Sequence, residues 1–124
     1  MGWSVDYNQA KNIMVLTYDG VISFREIVES SIANINQANE HNSIRMLVDC
    51  TSLKIDAKRT ELFELPSSLY AKWGLNPATK IALTEPKDLN GKKMAEFYVF
   101  ATHNLGWNAR MFSTRKKALA WLRV

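Results

Sequence analysis

Cysteine is nearly missing from this 124-residue chain. Cys50 stands alone, so no disulfide can close within the chain and no thiolate cluster can hold a metal. Glycine and proline are scarce, at 5 and 3 residues, which excludes collagen-like and low-complexity architectures. Long apolar runs are absent too. The longest aliphatic stretch, Ile13-Met14-Val15-Leu16, falls far short of the ~20 residues of a membrane span. Met1 to Asn12 include Asp6 and no apolar stretch, so no secretory leader is predicted. Together with the lone thiol, this points to a cytoplasmic location. The sequence also lacks a glycine-rich phosphate cradle, a pair of catalytic carboxylates and a His-rich metal spacing, so neither cofactor nor metal is expected.

What is present suffices for a packed core. At 47% apolar and 23% charged residues, the chain reads as one compact α/β domain over residues 1–124. Its mass of 14.2 kDa predicts roughly 6,800 Å² of exposed surface, against roughly 20,600 Å² for the extended chain. The net charge of +4 is unevenly spread, with -3 over residues 1–53 and +7 over residues 54–124. No acid follows Glu96, whereas Arg110, Arg115, Lys116, Lys117 and Arg123 do. Such a face suits an acidic partner, although scattered lysines and arginines are also ordinary solvated surface. Nucleic acid is not the expected partner, because no basic strand interleaved with aromatics and no recognition-helix pattern occurs.

Hydrophobic periodicity sets the order of elements. Trp3, Val5 and Tyr7 alternate with Ser4 and Asp6 as in a strand with one wet face. Asn12 to Tyr18 is apolar on both parities, as an interior strand would be, and Asp19-Gly20 is expected to close it. Ser23 and Glu26 form a capping box. Behind it, Phe24, Ile27, Val28, Ser31, Ile32, Ile35 and Ala38 follow at helical spacing, predicting a helix of about 17 residues. Ile44 to Val48 reads as a short buried strand with Asp49-Cys50-Thr51-Ser52 at its exit. Residues 56–74 predict two helical turns interrupted at Pro66 and stopped at Gly74. Ile81–Leu83 and Asn108–Phe112 are the remaining strands. Between them a helix from Asp88 turns Met94, Phe97, Tyr98, Ala101 and Leu105 inward. Ser113 or Thr114 caps a last helix with Ala118, Leu119 and Leu122 facing the core. The order β-β-α-β-α-β-α-β-α implies one mixed five-stranded sheet with about four helices, since strands joined by helices run parallel.

This order, together with Leu47-Val48-Asp49-Cys50-Thr51-Ser52-Leu53, resembles the STAS superfamily of sulfate transporters and anti-sigma factor antagonists, in its SpoIIAA-like branch. Gly106-Trp107, Met111-Phe112 and Ala118-Leu119-Ala120-Trp121-Leu122 look like that branch's closing strand and helix. The resemblance implies a non-enzymatic regulatory or binding module that meets a protein partner or a small apolar or anionic ligand. It places the binding surface at Asp49, Cys50, Thr51, Ser52 and Leu53. In anti-sigma factor antagonists the strand carrying this Asp is followed by a Ser that a partner kinase phosphorylates. Here Cys50 occupies that position and Ser52 replaces the usual glycine, leaving Thr51 and Ser52 as candidate phosphoacceptors.

The remaining candidates are weaker. Asp49 at a strand's carboxyl end sits where open α/β sheets bind ligands, and equally where a turn acid caps the following amides. Cys50 could be a nucleophile, yet no base pattern accompanies it, and a lone Cys is more often a small buried apolar residue. Tyr70, Trp73, Phe97 and Trp107 are candidates for an apolar pocket, the basis of an alternative reading as a small lipid carrier; at helical spacing such aromatics also serve as plain core. The amphipathic helices and the edge strand Trp3 to Tyr7 offer routes to a homodimer.

Overall fold

A computed structural model describes residues 2–124. The elements are β1 (Trp3–Asn8), β2 (Ile13–Ser23), α1 (Phe24–Glu40), β3 (Arg45–Asp56), α2 (Arg59–Glu64), a π-helical turn (Leu65–Leu69), α3 (Tyr70–Lys72), β4 (Lys80–Thr84), α4 (Leu89–Asn104), β5 (Asn108–Phe112) and α5 (Arg115–Leu122). The five strands lie side by side in chain order. β1 runs antiparallel to β2, and every later neighbour is parallel. The mixed five-stranded α/β sheet and the order of elements expected from the sequence are those observed.

Successive parallel strands that step in one direction across a sheet send right-handed crossovers over the same face. Ile27 and Ile35 of α1, Leu62 of α2 and Met94 of α4 accordingly share one core with Met14, Leu16 and Tyr18 of β2. Only α5 crosses to the opposite face, where Ala118 and Leu122 pack on Ile13, Leu47 and Ala82. Central strands are therefore apolar on both parities. The exposed surface of 6721 Å² is close to that expected from the mass.

Local signals act where they stand in the sequence. The Ser23–Glu26 capping box is formed reciprocally at the start of α1. The Asp88 carboxylate accepts the Gly91 amide at 2.9 Å. Gly74, at φ +81, ends the α3 segment in the left-handed region that favours glycine.

Four expectations fail for physical reasons. Asp19-Gly20 does not end β2, which runs on to Ser23 beside β3. Nor does β3 stop at Val48: it continues to Asp56, so Asp49–Ser52 lies inside a strand. A β-bulge hides this in the sequence, because Tyr18 of β2 faces both Cys50 and Thr51 of β3 and shifts the alternation by one residue. Pro66 does not break the helical run. The Leu62 carbonyl that Pro66 cannot reach takes the Leu65 amide, and the Tyr70 amide steps back to the Leu65 carbonyl, forming the π turn. Leu105 is also 44% exposed rather than inward, since it stands at the carboxyl end of α4.

Candidate functional site

Asp49 lies opposite Thr17 of β2, on the face that α5 covers. Its Oδ1 accepts from the Thr84 hydroxyl at 3.0 Å and from the Thr51 amide at 3.1 Å. Oδ2 accepts from Arg115 Nη1 at 3.2 Å. Thr84 ends β4 and is buried, and its hydroxyl also accepts the Cys50 amide at 2.8 Å. That hydroxyl stands in for the ladder carbonyl that β4 no longer supplies, because Glu85-Pro86 turns the chain away. The Thr51 hydroxyl lies 3.2 Å from that of Thr84. Three segments far apart in sequence thus converge on one carboxylate.

Burial alone would raise the Asp49 carboxyl. The donors of Thr51 and Thr84 and the charge of Arg115 outweigh it and hold the group below the ordinary carboxylate value. The Asp49–Arg115 pair remains reachable, with side-chain exposures of 21% and 51%. An ionised acid with one partly free oxygen beside a guanidinium is a recognition element for polar or charged surfaces.

The bulge divides the predicted binding residues. Asp49 and Thr51 are half-buried beside Thr84, and Ser52 is exposed. Cys50 and Leu53 instead point into the helix-covered core, at 2% and 5% exposure. Burial, followed by the Asp49 charge, pushes the Cys50 thiol up to about 12, so it stays protonated and inert as a nucleophile. The turn after β3 consists of Ala57 and Lys58, neither of which carries a hydroxyl; Thr51 and Ser52 lie within the strand instead.

Of the four aromatics expected around an apolar pocket, only Tyr70 lines the internal cavity. Trp73 and Trp107 pack edge-on against it with centroids 6.4 and 5.8 Å away, and Trp107 Nε1 donates to the Pro66 carbonyl at 2.9 Å. Phe97 lies half-buried beneath Arg59. Sequence patterns single out neither Thr84 nor Asn34, place Tyr98 inward only as core, and name Arg115 only as part of the basic face. Thr84 lies 35 residues from Asp49 and Arg115 lies 66 away, so no spacing rule could have joined them. Among the described residues no group of three His, Cys, Asp or Glu side chains is placed to hold a metal, and no helix is long and apolar enough to cross a membrane.

No family model and no curated protein matches the chain. Solved structures do. The unphosphorylated anti-sigma factor antagonist SpoIIAA is 14% identical with a TM-score of 0.61, covering 98% of this chain and 97% of its own. The phosphorylated Bacillus cell fate determinant SpoIIAA is 17% identical at 0.56, covering 98% and 99%. A DUF3478-family protein of Shewanella loihica PV-4, described as SpoIIAA-like in fold, is 15% identical at 0.57, covering 97% and 91%. These likenesses extend over nearly the whole chain, and together with the strand order they give it a SpoIIAA-like fold.

Proposed function

We propose that this chain is a non-enzymatic regulatory module that docks an acidic protein surface at the bulged end of β3. The observation that carries this reading is the accessible Asp49–Arg115 pair, fixed by Thr51 and Thr84 where β4 stops and β3 runs on. Around it, Lys54, Lys87, Lys116 and Lys117 are exposed, matching the basic excess of the second half of the chain. Val21, opposite Lys54 in the β2–β3 pair, is 66% exposed, and Leu89 at the start of α4 is 67% exposed. A few apolar contacts rimmed by cations suit a protein interface whose partner carries the opposite charge.

The fold shared with an anti-sigma factor antagonist supports a regulatory role, and the protonated, buried Cys50 argues against covalent catalysis there. The internal cavity of about 80 Å³ is small beside the roughly 300–1,000 Å³ of ligand sites, which favours docking over carriage of an acyl chain. Of the two candidate phosphoacceptors, Thr51 is engaged with Thr84 while Ser52 is exposed, so Ser52 is the one open to a kinase.

The test is a photo-crosslinking side chain placed at Ser52 in the native host. A partner should be trapped from that position, not from Gln9 in the distant β1–β2 turn, and Arg115→Glu should abolish the product. Equal trapping from Gln9, or a product that survives Arg115→Glu, overturns the assignment.

A further inference from the structure

The face of the sheet away from the docking surface holds a partly open cavity of about 80 Å³, room for two to three waters at roughly 30 Å³ each. Its wall is mostly aliphatic, with Leu16, Met46, Leu83 and Met94 among the lining residues, and Ser31, Cys50 and three tyrosines join them. No charged side chain reaches it. Into this apolar space comes Asn34 of α1, only 3% exposed, whose Oδ1 has no hydrogen-bond partner among the described residues. A buried amide oxygen without a donor is costly and marks a place where something else supplies one. Tyr70 and Tyr98 also line the cavity and share one hydrogen bond between their hydroxyls. Whichever hydroxyl accepts keeps a proton to give. The space therefore presents an unpaired acceptor, beside two hydroxyls, within largely apolar walls.

We propose that this cavity is a binding site for a small neutral amphiphile, an apolar body of about three to four non-hydrogen atoms carrying a hydroxyl. The hydroxyl donates to Asn34 Oδ1 while the hydrocarbon fills the space between β2–β4 and the helices. Charged ligands are excluded, because nothing in the wall compensates an ion for its lost hydration. Pure hydrocarbons gain nothing at Asn34, whose oxygen they leave unpaired.

The experiment follows the methyl resonances of Met46 and Met94 in the full chain during titration with 1-propanol and with 1-chloropropane, a probe without the donor. Saturable shifts with 1-propanol are expected, and relative to each probe's own transfer from water to hydrocarbon 1-propanol should bind at least about fivefold more tightly than 1-chloropropane. Asn34→Leu should erase the difference between the probes. Ala95→Leu, which fills the space from α4, should abolish the response to both and keeps the test decisive if the Asn34 variant fails to fold. Shifts that never saturate, as when the cavity holds water only, overturn the proposal. So do affinities that are equal once each probe's transfer from water is allowed for, or an Ala95→Leu chain that responds as the parent does.

Discussion

The two faces of the sheet are built from the same strands and solve different problems. On one side, α1 to α4 bury a broad core that includes Leu16, Tyr18, Met46 and Leu53 and leaves a cavity. On the other, α5 alone covers Ile13, Leu47 and Ala82, and the polar cluster around Asp49 sits at its first turn. The division runs through β3, where alternation puts Cys50 on the first face and Asp49 on the second, and the bulge at Cys50-Thr51 returns Leu53 to the first. One extra residue in a strand thus decides which side chains become core and which become surface.

The strongest way to break this comparison is at the thin core beneath α5. Leu47 is completely buried there, and Leu47→Ala should cost about 3 kcal/mol in urea unfolding. Amide exchange in α5 should quicken, while that of α1, on the other face, stays slow. Equal loss of protection in both helices would show that the two faces do not act separately.

A smaller effect is expected at Thr84. Its hydroxyl serves the Cys50 amide and the Asp49 carboxylate together, so Thr84→Val keeps the shape, orphans the Cys50 amide and leaves Asp49 with the Thr51 amide and Arg115 as its donors. A loss of about 2 kcal/mol should follow by denaturant titration, from the desolvated amide above all. A neutral outcome would mean that the bulge holds without this hydroxyl.

Smallest is Asp49 itself, which is partly solvated. Asp49→Asn should cost about 1 kcal/mol near neutral pH, the value being reduced by screening at this partly exposed site. The pH dependence sharpens the point. The native carboxyl lies below the ordinary value of 3.8, so its contribution is complete above that value and is lost as the pH falls through the native one. Unfolding midpoints of parent and variant should therefore converge between pH 5 and the acid limit, in ~0.1 M salt. A gap that persists at low pH would assign the effect to packing instead of charge.

Much of the fold was legible because its signals are local. Ser23 and Glu26 lie one turn apart, Gly74 answers a local demand for positive φ, and Asp88 meets an amide three residues on. The site was half legible. Asp49 stands out at the end of an apolar run, but Leu53-Lys54-Ile55-Asp56 also alternates as a strand should, and the polar Cys50-Thr51-Ser52 before it reads as an exit. A bulge cannot be seen in one chain segment, since it is a mismatch between two strands. The aromatics misled for a related reason. Helical spacing puts Tyr70 and Trp73 on one face of a segment but does not say which of them meets empty space.

The sequence by itself determined the number, order and direction of the elements, because periodicity, caps and turn residues act over a few positions of chain. Only the tertiary structure decided that Thr84 and Arg115 close on Asp49, that Cys50 and Leu53 turn away from it, and that Asn34 faces an unfilled space. Those outcomes depend on registers between strands and on volumes left between packed helices. Both are set by contacts between residues tens of positions apart, which no local pattern encodes.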